Sequence, residues 1–221
     1  MGKRMIPNTI EGRSRHSKFP RTVVPFTTLT CVWLLFAFAP TGLAQLPRAR
    51  LSEAEFLALA GHCAPGAPAD TLLAIANTES ALYANAISIN RPKAAARRAG
   101  YSDGQLVLKK QPKDQNEAAS WLRWLSLHHY TVSIGLMQVN AEMAPKLHVK
   151  PEQLLEPCTN LRVGAAILIS MYTGLAREIG EGFSALDAAL SLYNTGDPTA
   201  GYRSGYVEAV YAHAVRRSPA Y

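Results

Sequence analysis

Apolar residues in this sequence recur three and four apart in stretches of about a dozen residues, and most stretches are closed by glycine or proline. A short amphipathic helix cannot bury its stripe alone, so such segments must pack on one another around a shared core. Ser52-Glu53-Ala54-Glu55 is a capping box, followed by Phe56, Leu57, Leu59 and Ala60, with Gly61 as the expected stop. Asp70 is placed as the N-cap of a second helix over Thr71–Ala84. Glu117–His129 returns to helical spacing and predicts burial of Ala118, Trp121, Leu122, Leu125 and Leu127. A further helix begins near Leu161, with Leu161, Gly164, Ala165, Leu168 and Tyr172 on one face. Gly180-Glu181-Gly182 separates it from Ala185–Tyr193, and Gly205–Arg217 forms the last helix.

Residues 85–117 break this rhythm with Arg91-Pro92, Gly100, Ser102-Asp103-Gly104 and Gln111-Pro112. They read as a long surface excursion carrying a small β element, a short strand at Gln105–Lys109. Thr131–Ile134 reads as a loop leading into Gly135-Leu136-Met137-Gln138. The fold class expected is therefore mainly α, one domain over residues 45–221.

Residues 1–44 are set apart by composition. A basic stretch to Arg21 precedes an apolar run from Val23 to Ala39, and Gly42-Leu43-Ala44 offers small residues for cleavage, the layout of a signal peptide. A membrane anchor is the competing reading, but the run contains Pro25 and three threonines and falls short of the roughly 20 residues that span a bilayer. Cys31 sits inside the run, not after it, which argues against lipidation. The segment also accounts for the charge. Of 23 basic and 16 acidic residues it holds six and one, leaving 17 against 15, so the formal +7 of the whole chain says nothing for nucleic acid or an acidic partner. Export to the periplasm would place Cys63 and Cys158 in an oxidising compartment, where a disulfide persists. A zinc site from His62, Cys63, His148 and Cys158 is the alternative, without C-x-x-C or H-x-x-x-H spacing to support it. No cofactor motif is present, and no stable membrane span is expected after signal cleavage.

One acidic residue is out of place. Leu72, Ile75 and Ala76 lie on one stripe of the second helix, and the same step carries Glu79 onto it. Burial favours the protonated form of a carboxyl, and no Lys or Arg lies between Asp70 and Asn90 to oppose this. A protonated carboxyl beside a cleft can donate to a leaving sugar oxygen. On spacing alone, a solvent-facing glutamate at a helix end is the commoner arrangement.

Thr78-Glu79-Ser80, Gly135–Gln138, Asn160-Leu161 with Gly164-Ala165, and Leu192-Tyr193-Asn194 occur in that order. In this the chain resembles the soluble lytic transglycosylases of the goose-type lysozyme superfamily, in particular the branch that accompanies type IV secretion and conjugation machinery. The resemblance covers about Leu59 to Ala214. It implies a lysozyme-like helical domain with a substrate groove, peptidoglycan glycan strands as substrate, and secretion or conjugation components as partners. Glu79 would be the catalytic acid/base. Ser80, Gly135, Met137, Gln138, Tyr193, Asn194 and Tyr206 would be substrate-binding, Gly135 by letting backbone approach a sugar. Asn160 is read as a structural helix cap. Two departures stand out: the stretch from Glu79 to Gly135 is long, and Leu192 and Thr195 flank the Tyr-Asn pair where the family has an alanine before it.

The resemblance supplies only one carboxylate, implying attack by the muramic acid C6 hydroxyl instead of water, with a 1,6-anhydromuramoyl end as product. A lysozyme-type hydrolase would need a second acid, for which Asp103, Asp114 and Glu117 are the candidates, and a non-catalytic peptidoglycan-binding scaffold is a third possibility. His128-His129 cannot jointly hold an ion, since neighbours on a helix diverge by about 100°. Arg216-Arg217 suits a solvated helix end.

Overall fold

The computed structural model describes residues 50–92, 108 and 110–215, all within the unit Gln45–Tyr221. Residues 1–44, read as a signal peptide, Arg216-Arg217, Asp103 and all but Leu108 of the strand expected at Gln105–Lys109 lie outside the described residues.

Helix α1 (Glu53–Cys63) opens with the capping box: the Ser52 hydroxyl accepts from the Glu55 N–H at 3.3 Å, and the Glu55 carboxylate accepts from the Ser52 N–H at 2.7 Å. Gly61 does not end it. A last-turn glycine costs only about 1 kcal/mol, and continuing the helix buries Cys63.

Helix α2 (Ala69–Ser80) begins two residues earlier than expected, with Pro68 at the N-cap and Asp70 inside the first turn. It also ends four residues early. Ala81 and Leu82 adopt left-handed backbone, φ 49° and 65°, a cost of roughly 1–2 kcal/mol per residue. Leu82 is buried by that reversal, which offsets much of it. The Ala81 N–H closes the helix on the Ala76 and Asn77 carbonyls, while Arg50 Nε donates to the Ala81 carbonyl at 2.9 Å.

Strands β1 (Ile87–Pro92), β2 (Tyr130–Ile134) and β3 (Val139–Asn140) form an antiparallel sheet in that order, pairing Ile87 with Ile134 and Ser133 with Asn140. The loop expected at Thr131–Ile134 is thus the central strand. Tyr130, Val132 and Ile134 alternate inward against Thr131 and Ser133, a period of two hidden by its short length.

Helix α3 (Gln115–Leu127) is capped by the Asp114 carboxylate, which accepts from the Glu117 N–H at 2.8 Å. Ala118, Leu122 and Leu125 face the core and Trp121 is half-buried. Leu127, expected inside, is 76% exposed; two residues past Leu125 it points about 200° away from that stripe.

Two short 3-10 turns, Pro145–Leu147 and Pro151–Leu155, lead to α4 (Pro157–Ile179). This helix starts four residues before Leu161, capped by the Glu156 carboxylate on the Cys158 and Thr159 N–H groups. Leu161, Gly164, Ala165 and Leu168 are buried as expected. Helices α5 (Phe183–Thr195), α6 (Ala200–Arg203) and α7 (Tyr206–Val215) complete the domain. Helix α2 packs between α1 and α7, and α4 packs along α5, so the core runs through Leu72, Leu73, Ile75, Leu136, Met137 and Leu161.

A disulfide joins Cys63 to Cys158, tying the end of α1 to the first turn of α4 across 95 residues. Such a loop closure stabilises by about 4–5 kcal/mol in the chain-entropy account. It also consumes the thiols that the zinc alternative requires. Among the described residues no cluster of potential metal ligands occurs, and no helix is long and apolar enough to cross a membrane.

Candidate active site

Glu79 lies in the last turn of α2, on the side where Leu72, Ile75 and Ala76 enter the core. Its carboxyl is half-buried at the convergence of three helices. From α7, the Tyr206 hydroxyl donates to Glu79 Oε1 at 2.6 Å. From α5, the Asn194 side chain hydrogen-bonds the same carboxyl, and the Tyr193 phenol stands within electrostatic reach. Burial raises the Glu79 pKa above the ordinary carboxylate value, against the smaller lowering by the Tyr206 and Asn194 bonds. These partners are neutral, so among the described residues no Lys or Arg is found to compensate a negative charge there. The same burial pushes the Tyr193 and Tyr206 phenols upward, Glu79 adding to both, so each stays a protonated donor. Asn194 is exposed, so the carboxyl stands at the domain's surface and not in its interior.

The turn Gly135–Gln138 stands beside this carboxyl and is fastened at nearly every polar atom. The Gly135 N–H donates to the Ala86 carbonyl at 2.8 Å. The Ser80 hydroxyl donates to the Leu136 carbonyl at 2.8 Å, and the Tyr193 hydroxyl to the Met137 carbonyl at 2.7 Å. Asn160, wholly buried, accepts from the Met137 N–H and donates to the Ile134 and Leu154 carbonyls, all at 2.8 Å. Gly135 has φ +78°, and a Cβ there would fall 2.3 Å from the Asn160 amide nitrogen, so both backbone and space require glycine. The end of α2, through Ser80, and α5, through Tyr193, are therefore both bonded to this turn.

The expected site residues separate into two groups. Glu79, Asn194 and Tyr206 meet at the carboxyl. Ser80, Gly135, Met137, Gln138 and Tyr193 build its support. Met137 is completely buried, its side chain against Gly164, where an added Cβ would sit 2.6 Å from Met137 Cβ; a side-chain contact to a sugar is not available to it. Asn160 lies against Gly135 on the side where a Cβ would project. The Gln138 amide is buried and donates to the Gly135 and Ala86 carbonyls. Asn160 corrects the sequence reading as well: it lies inside α4, and its caps are spent on the turn instead of on its own helix. Its role is structural, by a route that helix-capping logic does not reveal.

Two of the carboxylates proposed for a second acid, Asp114 and Glu117, have other employment. Asp114 caps α3, and Glu117 accepts from the Lys113 N–H at 3.0 Å at the same helix start. Two α5 residues not foreseen from sequence, Asp187 and Ser191, lie seven and three positions before Asn194, on one stripe with it. That spacing inside an otherwise apolar helix was the available signal.

Residues 56–209 match the family described as Transglycosylase SLT domain, and the chain belongs to that family. Among curated proteins it is similar to Protein virB1 of Agrobacterium fabrum, 34% identical over 171 residues, 77% of this chain and 64% of that protein. It is similar also to Protein virB1 of Rhizobium radiobacter, 33% identical over 170 residues (77% and 65%), and to the Type IV secretion system protein virB1 of Brucella abortus, 33% over 165 residues (72% and 63%). The chain thus spans less than two thirds of the length of these relatives. No solved structure gave a significant match.

Proposed function

We propose that this protein is an exported, periplasmic lytic transglycosylase that cleaves the β-1,4 bond between N-acetylmuramic acid and N-acetylglucosamine in peptidoglycan, opening the wall locally for a type IV secretion or conjugation apparatus. The observation that carries the reading is a carboxyl raised in pKa by burial, held by two neutral side chains, in a chain of the SLT family. In the protonated form Glu79 gives its proton to the glycosidic oxygen as the C1–O bond breaks, releasing N-acetylglucosamine with a free hydroxyl. The muramic acid C6 hydroxyl then bonds to C1, and its proton passes to the Glu79 carboxylate. The product is a 1,6-anhydromuramoyl end and the acid is restored. An intramolecular hydroxyl has a high effective molarity, so no second carboxylate is needed to activate water. Tyr206 and Asn194 hold the carboxyl in place and stabilise the ionised form between the two proton transfers.

The relatives named virB1 support the secretion setting, and the Cys63–Cys158 bridge is in keeping with an oxidising compartment. The reading is tested by mass analysis of muropeptides released from sacculi by the protein and by its Glu79→Gln variant. Anhydromuramoyl ends from the first and none from the second are expected. Reducing muramic acid ends would make the protein a hydrolase, and equal behaviour of the two proteins would make it a scaffold.

A further inference from the structure

The two side chains that hold Glu79 come from different helices, α5 and α7, and neither is bonded to the other. Something must set the distance between them. One face of α5 carries Asp187, Ser191 and Asn194, spaced i, i+4 and i+7. Asn194 reaches Glu79. One turn back, the wholly buried Ser191 hydroxyl donates to the Asp197 carbonyl at 2.6 Å and accepts from the Gly201 N–H at 2.7 Å, fixing α6 against α5. The fit is close: a Cβ on Gly201 would fall 2.7 Å from Ser191 Cα. A further turn back, the Asp187 carboxylate accepts from the Tyr211 hydroxyl of α7 at 2.5 Å and hydrogen-bonds the Tyr202 phenol of α6. A charge-assisted bond of this length is among the stronger side-chain contacts. Tyr211 lies one and a half turns along the same helix from Tyr206.

We propose that Asp187 is a positioning residue for the reaction: through Tyr211 it fixes α7 against α5 so that Tyr206 and Asn194 converge on Glu79. Asp187 touches neither the acid nor the substrate. A rigid-body shift of α7 would carry the Tyr206 hydroxyl out of reach of Glu79 Oε1, since α7 has the Asp187–Tyr211 bond at one place and the Tyr206–Glu79 bond at another. The groups facing Glu79 are Tyr206 from α7 and Tyr193 and Asn194 from α5; those facing Asp187 are Tyr202 from α6 and Tyr211 from α7.

The kinetic arm of the test rests on the transglycosylase reading, and a second arm does not. Asp187→Ala, Asp187→Asn and Tyr211→Phe are made in the whole protein, and glycan cleavage is followed against pH. The Ala and Phe variants are expected to lower kcat on the order of tenfold with KM little changed, because a displaced catalytic group costs rate more than binding. Their alkaline limb moves to higher pH, since Glu79 has lost a bond that favours its ionised form. Asp187→Asn keeps an acceptor for Tyr211 and recovers most of the rate. In parallel, NMR titration of 13C-labelled glutamate, with the Glu79 signal assigned from the Glu79→Gln variant, is expected to show the same upward movement without any turnover. A Glu79 that titrates as in the unaltered protein in both the Ala and Phe variants overturns the proposal, as does a kcat within twofold of the original. If Asp187→Ala does not fold, Tyr211→Phe, which removes one oxygen, decides the matter. Absence of glycan cleavage by the unaltered protein would refute the proposed function, and the titration would still decide on the clasp.

Discussion

Carboxylates at two of this protein's helix ends, the start of α3 and the end of α2, are used in opposite ways. At the start of α3, Asp114 and Glu117 accept from backbone N–H groups within four residues of themselves, in solvent, where the helix dipole also favours negative charge. At the end of α2, Glu79 lies where that dipole disfavours charge, and its Tyr206 bond comes from a residue 127 positions away. One pair is satisfied locally and supports only its own helix. The other is satisfied by the tertiary fold, and its burial favours the protonated form. The contrast shows that the role of a carboxyl is read from who its partners are, more than from where it sits along a helix.

Substituting both kinds sharpens the contrast most. Glu79→Gln is expected to reduce glycan cleavage on the order of a thousandfold or more, the range in which a general acid acts. Glu117→Gln should leave turnover within about twofold, since a glutamine oxygen still accepts from Lys113. Measured together on sacculi, a large loss from Glu117→Gln would revive the two-carboxylate hydrolase and break the distinction.

The next effect concerns the support on each side. Asn160→Ala leaves the Met137 N–H and two carbonyls without their buried partner, and is expected to cost about 3 kcal/mol or more in denaturant unfolding. Asp114→Ala removes one exposed cap and should cost about 1 kcal/mol. Equal costs would mean that the turn beside Glu79 is no better anchored than a surface helix.

Most helices could be read from the chain, because their apolar spacing and caps are local. Ser52 and Glu55 fixed the start of α1 unaided, and Glu79 stood out because its stripe was otherwise apolar. The end of α2 could not be read, since Ala81 and Leu82 are poor left-handed residues by their own chemistry and are turned by the burial of Leu82 and the bonds from Arg50 and Leu51. The same holds for the site. The partly buried carboxyl of Glu79 was legible through its position and through resemblance. The division between groups that touch the carboxyl and groups that brace it was not, because Met137 and Gln138 are inward-facing only once Asn160 and Gly164 have closed on them.

Removing the distant partner has a smaller effect than removing the acid. Tyr206→Phe is expected to lower kcat about tenfold, comparable with the loss of one hydrogen bond to a charged group, about 1.5 kcal/mol or somewhat more. It should also carry the alkaline limb of the rate upward, because the phenol bond lowers the pKa that burial raises. A limb that stays in place would show that Tyr206 packs against Glu79 without shaping its ionisation.

The smallest effect is on stability, and its sign follows from the direction of the shift. The Glu79 pKa is raised in the folded state, so its contribution to stability is fully present below the unfolded value of about 4.3 and is lost as pH rises through the folded value. At pH 7 the unfolded chain has released that proton freely, whereas the folded protein either retains it or carries a partly buried charge. Glu79→Gln, neutral at every pH, should therefore unfold at a higher temperature than the unaltered protein at pH 7, and the difference should shrink to nothing near pH 3.5, below the unfolded value of about 4.3. Glu117→Gln, at an exposed helix start where charge is favoured, should show no such gain. A Glu79→Gln protein less stable than the original at pH 7 would mean that Tyr206 and Asn194 outweigh desolvation, leaving the acid ionised at rest and unable to begin the reaction by donating a proton.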